Sequence, residues 1–385
     1  MNVTQVYSLV NSITSEILGE SVVLNEDLSN VVDVGKELFS VTDVDNYTRK
    51  LIDRIGKVIF ADRVYTGTIP NVLMDSWEYG AVVEKISCDL PTAIENPTFE
   101  LTDGQEYSQD IFHKPSVSAK FFNNKVTFEI DISITERQVK ESFASATELN
   151  AFISMIVNAV TKSFTIKTDG LIQRTINNMI AETLLDTSET KGNRAVNLLK
   201  LFNTKFGKTE TVSTCITNPD FIKFSSYIMG LYVDRLSNVS TLFNIGGKDR
   251  FTNRDNLNII LLSDFKNASD VYLQSDVKHN ELTALPQSQT VAYWQGSGKD
   301  FSFESNSTID VTNASGTIKQ SGILGVMFDR DSLGVSNLNT RVTTSYNAKA
   351  EFWNNYYKMD MGSFNDTNEN FVVFYVAGEP AGKSK

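Results

Sequence analysis

The sequence predicts an α+β chain built around one long helix, and three observations carry that prediction. A 145–185 segment repeats apolar residues in steps of three and four with no proline. The stretches before and after it, 61–134 and 323–377, are rich in β-branched and aromatic residues. Between them, residues 209–326 mix helical and strand patterns, as an inserted α/β region would.

The helix is the spine of the reading. Leu149, Phe152, Ile153, Ile156, Val157, Val160 and Phe164 form one stripe, continued by Leu171, Ile172, Ile176, Met179, Ile180 and Leu184. That spacing keeps apolar side chains on one face of an α-helix. Ser145 stands three residues before Glu148, the spacing of a capping box. At 1.5 Å per residue the helix is roughly 60 Å long. Gly170 is its weak point, about 1 kcal/mol less favourable than Ala.

In chain order, residues 1–60 read as an extended or partly helical arm. Val6, Leu9, Val10, Ile13 and Ile17 have helical spacing, as do Val44, Tyr47, Leu51, Ile52, Ile55 and Ile59 within 43–60. Short amphipathic pieces need another surface over their apolar faces, either this chain or a neighbouring subunit. DRVYTGTIPNVL and SWEYGAVVEKISCDL have strand composition. A polar, turn-rich stretch lies between Pro91 and Pro115, and SVSAKFFNNKVTFEIDISIT reads as a hairpin turning near Asn123 and Asn124. The whole is a two-stranded excursion with a weakly structured tip. Such a ribbon is marginal alone and is suited to lying across a partner.

Thr135 and Gln138 have capping-box spacing at the start of a short helix over 135–143. AVNLLKLFNTKFG is helical, ending at Gly207. TVSTCIT reads as a buried strand stopped by Asn218-Pro219, a turn that opens the helix FIKFSSYIMGLYVDRL. LNIILLSDF, DVYLQ and TVAYWQ read as strands, and 296–322 as a loop or irregular hairpin. RVTTSY, AEFWNNYYKMDMGSF and NFVVFYV are closing strands, with 365–368 as a hairpin turn. They are expected to pair with strands of 61–134.

Composition narrows the function classes. The 385 residues carry a net charge of −12, with 35 Lys and Arg dispersed along the chain. Nucleic-acid binders need clustered cations to neutralise phosphates, so dedicated binding is not indicated. The two cysteines, Cys88 and Cys215, provide neither a disulfide framework nor a four-cysteine zinc site and read as free thiols, as in a reducing cytoplasm. No run of 18 apolar residues argues for a transmembrane helix. The N-terminal residues lack the basic and apolar regions of a secretory signal.

Catalytic constellations are missing. The two histidines, His113 and His279, read as solvated surface residues, and neither HExxH nor GxSxG occurs. Gly246-Gly247-Lys248 lacks the remaining phosphate-loop residues and reads as a turn. Asp43 with Asp45, Asp329 with Asp331, and Asp366 with Glu369 read as surface carboxylates, because none offers the oxygens and glycine of a calcium loop. Trp77, Trp294, Trp353, Phe352, Tyr356 and Tyr357 fall in strands and read as packing residues. The reading therefore assigns no catalytic, cofactor-binding or metal residue, no cofactor and no enzymatic activity.

The order of arm, ribbon, spine helix, inserted α/β region and β return resembles the major capsid proteins of tailed bacteriophages, with the HK97-like fold. EIDISITERQVKESFASATELNAF resembles the passage from ribbon to spine helix in that family. ITNPDFIKF resembles the entry to its axial domain. GVMFDRDSLGVSNLNTRVTTSYNAKAEFWNNYYKMDMGSFNDTNENFVVFYVA resembles its closing strands. The resemblance spans about residues 60–377. It implies an N-terminal arm (1–60), a peripheral domain (61–208 and 326–385) holding the spine helix and an extended loop at about 80–125, and an axial domain (209–325). It implies pentamers and hexamers in an icosahedral shell around double-stranded DNA, located in the virion and made in the host bacterial cytoplasm. A separate scaffolding protein, portal and decoration proteins, DNA without sequence-specific contact and no membrane complete the implied partners. Lys114 and Lys120 lie in the loop, but no crosslinking site aligns with them. An encapsulin-type shell, and a β-rich hydrolase or surface-binding component, are the alternative readings.

Overall fold

The computed structural model describes residues 3–18, 24–41, 47, 49–51, 72–74, 83–107, 110–274, 288–294 and 308–378. The elements run α1 (Val3–Leu18), α2 (Val31–Val41), β1 (Leu73–Met74), β2 (Val83–Cys88), β3 (Val117–Phe122) and β4 (Asn124–Thr135). Next come α3 (Glu136–Ser142), α4 (Ala146–Leu185), β5 (Ala195–Asn197), α5 (Leu198–Phe206), α6 (Val212–Cys215) and α7 (Pro219–Leu236). The chain continues through β6 (Leu257–Leu262), α8 (Ser263–Gln274), β7 (Gln289–Val291), β8 (Ile309–Asn313) and β9 (Gly316–Gln320). It closes with β10 (Ile323–Asp329), β11 (Leu333–Asn347), β12 (Phe352–Asn365) and β13 (Phe371–Tyr375).

Two compact units emerge. The first comprises Met1–Tyr79, Lys125–Ile172 and Val335–Gly362; the second comprises Gly80–Asn124, Gln173–Gly334 and Ser363–Lys385. The expected spine helix is α4, 40 residues long, which contributes its first part to one unit and its remainder to the other. Of its predicted stripe all but Phe152 is buried, whereas Met155 and Ile166 point outward. Ser145 caps it, its Oγ accepting from Glu148 N–H at 3.2 Å. Helix α4 is long and apolar enough to cross a bilayer by length and composition, a test that core helices also pass.

In the first unit a four-stranded sheet has the order β1-β11-β12-β4, with β1 parallel to β11 through Leu73↔Val335. The expected pairing of closing strands with 61–134 is thus realised by β11 and β12. Helix α1 and helix α2 bury Val6, Leu9, Val10, Ile13, Val31, Val34 and Leu38, so this chain itself covers their apolar faces. Tyr47 packs edge-on against Phe143, with ring centroids 5.5 Å apart. Burial pushes the Tyr47 hydroxyl's pKa far upward. Both capping-box hydrogen bonds of Thr135 and Gln138 open α3. The expected helix over 43–60 and the strand DRVYTGTIPNVL lie mostly outside the described residues, although Tyr47 and 49–51 are helical.

The second unit holds a five-stranded sheet of order β5-β13-β10-β6-β7. Its centre, β10, is buried at every position, and β6 and β13 nearly so, as strands covered on both faces must be. Gly325 allows β10 to approach β6 closely: a Cβ there would lie 2.8 Å from the Ile260 carbonyl oxygen. Arg194 is buried, donating to Asp186, Thr190 and the Leu242 carbonyl, with the Thr190 and Leu242 bonds both 3.1 Å. A separate hairpin, β8–β9, occupies the Ser/Asn-rich stretch.

Four expectations are corrected. TVSTCIT is not a strand: α6 lies there, because Thr211 N–H donates to Thr214 Oγ1 and Thr214 N–H to the Thr211 carbonyl, closing a helical turn that outweighs β-branched preference. DVYLQ is the last part of α8, whose buried Phe265 and Ser269 keep the helical step of four. Strands β3 and β4 do not pair with each other across Asn123 and Asn124; β3 pairs with β2, and β4 with β12. The 365–368 turn is not a hairpin turn: it joins β12 of one sheet to β13 of the other.

Candidate functional site

The feature that most needs a function is the ribbon. Strands β2 and β3 pair antiparallel from Val83↔Phe122 to Cys88↔Val117. Beyond them, the described residues of 89–116 form a tip without a core of its own, every one of them after Asp89 exposed. Ile86, Leu90, Ile94, Phe99, Leu101 and Phe112 are all exposed, Phe99 by 99% and Phe112 by 85%. Scattered exposed apolar residues are ordinary; so many on one ribbon mark an interaction surface. The tip is nonetheless shaped. Asn96 accepts from Thr98 N–H at 3.0 Å to start a 3-10 turn over Pro97–Phe99, and Tyr107 hydroxyl accepts from Thr102 N–H at 3.2 Å.

The base of the ribbon is locked electrostatically. Register places Lys85 directly opposite Lys120. Like charges in that position repel. Asp366 resolves the conflict: Lys85 Nζ lies 3.0 Å from Oδ2 and Lys120 Nζ 3.1 Å from Oδ1. The Asp366 side chain is 3% exposed, so the pair of lysines compensates a buried charge. Lys85 also donates to the Asp331 carbonyl at 2.7 Å, and Lys120 to Thr367 Oγ1 at 3.0 Å. Glu369 stands 3.5 Å from Lys85 and 3.2 Å from Arg250. The turn itself is held by Gly246 N–H donating to the Thr367 carbonyl at 2.9 Å, and a Cβ on Gly246 would collide with Asn368 Oδ1 at 2.0 Å. Further out, Asp89 accepts from Lys248 and Ser116 at 2.7 and 2.8 Å, and those bonds hold its pKa below the usual carboxylate range.

Buried Asp366 and half-buried Glu369 respond differently. Burial penalises the charge of Asp366, but the bonds from Lys85, Asn368 N–H and Lys120 outweigh it and lower its pKa. At Glu369 burial prevails over Lys85 and Arg250, with Asp366 and Asp329 adding like charge, so its pKa is raised. The expectation that Asp366 and Glu369 are solvated surface carboxylates is therefore wrong. Strand register gives Asp366 two cationic partners more than 200 residues away in sequence, and Glu369 gains Lys85 together with the nearer Arg250. Asp329 is buried as well, accepting Asp331 N–H at 2.9 Å. Asp43 and Asp45 lie outside the described residues, as do His279 and Trp77.

The other singled-out residues separate cleanly. His113 is exposed on the tip. Gly246-Gly247-Lys248 is a turn, wrapped by Asn244, which serves the ribbon base and not a phosphate. Trp294 and Trp353 are buried, Trp294 donating to the Ile323 carbonyl at 2.9 Å. Cys88 is exposed and Cys215 buried, its thiol pushed up to about 12 by burial. Among the described residues no three His, Cys, Asp or Glu side chains converge as metal ligands.

The family described as Phi29-like phage major capsid protein matches residues 10–375. The chain belongs to this family. A major capsid protein of Bacillus phage GA-1 is 22% identical over 366 residues, covering 92% of this chain and 66% of that protein. That of Bacillus phage B103 is 24% identical over 168 residues, covering 42% of this chain and 36% of that protein. The chain thus spans slightly under two thirds of the first relative's length. The capsid structure of Staphylococcus phage Andhra superposes with a TM-score of 0.52 at 8% identity, covering 82% of this chain and 86% of that one. Its fold is the HK97-like capsid fold, and the long helix, ribbon and two-sheet arrangement are this chain's version of it.

Proposed function

We propose that the chain self-assembles into pentamers and hexamers that close into the icosahedral head around the phage's double-stranded DNA. Its role in the virion is structural and not catalytic. The observation that carries this reading is the ribbon, which exposes a row of apolar side chains while a buried ion cluster fixes its base. A monomer gains nothing from that arrangement; a shell repeats the contact many times, so each contact can be weak.

The proposal includes synthesis in the host bacterial cytoplasm and a separate scaffolding protein during assembly. It also includes portal and decoration proteins on the finished head, and no membrane. Packaged DNA meets an acidic chain of net charge −12 without sequence-specific contact. An arm (1–60), a peripheral domain (61–208 and 326–385) and an axial domain (209–325) are the proposed functional division, the axial part gathering around five-fold and six-fold axes.

Negative-stain electron microscopy after size exclusion tests the reading. Wild-type protein is expected to give rings or closed shells, and the double variant F99D/F112D to remain small while keeping wild-type circular dichroism. Wild-type protein that stays monomeric with and without a co-expressed scaffolding protein would defeat the proposal.

A further inference from the structure

Outside the ribbon, the second unit has one cleft with a distinct chemistry. Helix α5 and helix α7 enclose a cleft of about 500 Å³ lined by Phe202, Phe206, Phe224 and Tyr227 together with Lys205, Lys208, Lys223 and Asp220. Phe206 and Tyr227 remain 51% and 59% exposed. Lys205 Nζ lies 5.6, 5.3 and 5.5 Å from the ring centres of Phe206, Phe224 and Tyr227. Lys208 sits 5.5 Å from the Phe202 ring and pairs with Asp220 at 3.0 Å. The cleft thus offers an aromatic floor and, in Lys205, a cation with no carboxylate partner among the described residues, on a chain that is acidic overall. Cations over aromatic faces gain further when a carboxylate joins them and water is excluded.

The ribbon tip has the opposite character. Glu95, Glu100, Asp103, Glu106 and Asp110 are all exposed, interleaved with Ile94, Phe99, Leu101 and Phe112. Only His113 and Lys114 oppose that charge within 89–116. The 3-10 turn presents Phe99 beside Glu100, which reduces the ordering cost of docking.

We propose that the cleft between α5 and α7 receives the acidic, apolar ribbon tip of a second copy of this chain. Phe99 enters against Phe206 and Tyr227, and Glu100 meets Lys205. The pairing rests on the assembly reading and adds to it the receiving surface and its specificity. Charge complementarity selects the tip over the rest of the surface, and like-charged tips repel one another.

A charge swap tests it in assembling wild-type background. Lys205→Glu alone, and Glu100→Lys with Glu106→Lys, should each slow shell formation by roughly tenfold or more, the scale of a like-charge juxtaposition. Combining K205E with E100K and E106K should recover most of that loss. In parallel, Phe99→p-benzoylphenylalanine protein is assembled from an equal mixture of 15N-labelled and unlabelled copies, in the presence of scaffolding protein, and irradiated. Mixed-isotope crosslinks to residues 198–236 are expected. Wild-type assembly rate in K205E, no recovery in the swap, or crosslinks confined to one copy would overturn the pairing. So would crosslinks elsewhere in the chain, or to scaffolding protein or DNA. Wild-type protein that forms no shell at all would remove the assembly reading first, and this pairing with it; shells indifferent to K205E would remove the pairing alone.

Discussion

Asp366 shows how one side chain can fix the base of a ribbon that has little core of its own. It bridges two lysines that strand pairing forces together, and they in turn make its burial tolerable. Removing both, K85A/K120A, leaves an uncompensated buried carboxylate and should cost about 3–5 kcal/mol. Urea unfolding checks this, and the loss should persist in high salt because the cluster is mostly shielded from solvent. Asp366 and Glu369 also impose opposite pH signatures. Asp366 titrates lower in the folded chain than in the unfolded one. Its contribution is present at neutral pH and is lost as pH falls through its depressed folded pKa, below the ordinary value of 3.8. Glu369 titrates higher when folded, so its ionised form is a penalty at neutral pH that disappears as pH falls toward its ordinary value of 4.5. Melting temperature should therefore rise on mild acidification and fall on stronger acidification. Glu369→Gln should remove the rise while keeping the fall.

At the scale of elements, α4 was legible because its stripe, cap and lack of proline all agree, and local agreement is what makes a segment predictable. Gly170 is its remaining defect. It is exposed, and a Cβ there meets nothing within 4 Å, so Gly170→Ala should raise stability by about 0.5–1 kcal/mol, read as a higher melting temperature. Gly325 is the contrasting case: its Cβ would strike a backbone carbonyl that a neighbouring strand cannot move, and Gly325→Ala should destabilise the five-stranded sheet in the same measurement. The two misread segments fail for one reason. TVSTCIT and DVYLQ have strand-like composition over five to seven residues, too short for periodicity to speak, and their neighbours decide. The Thr214 hydroxyl, accepting from Thr211 N–H, makes the first a helical turn, and Phe265 with Ser269 extends a helix through the second.

At the scale of the whole molecule, the ribbon tip is a surface without an interior. Among the described residues its backbone amides find few partners: the turn at Asn96, the bond to Tyr107, and those of Asp89 to the Ser116 carbonyl and Gln105 to the Thr102 carbonyl. Hydrogen exchange over 89–116 should be fast in unassembled protein and become strongly protected in shells, while β10 and β13 stay protected in both. Equal exchange in the two states would place the intersubunit contacts elsewhere. On the proposed reading, the net charge of −12 suits a shell wall that lies beside packaged DNA without adhering to it. Copies of that chain then need local positive patches if they are to attract one another, and the Lys205 cleft is such a patch.

By itself the sequence determined the α+β class, the spine helix with its cap, the ribbon with its unburied tip, and the resemblance that the family match bears out. These rest on local periodicity, turn chemistry and element order, each readable within a few tens of residues. Tertiary structure alone decided that β12 and β13 part into different sheets, that Lys85 faces Lys120, and that Asp366 is buried between them. It also decided that three lysines and four aromatic rings share one cleft. Such facts depend on strand register and on contacts between residues far apart in the chain, where composition carries no information about which partners meet.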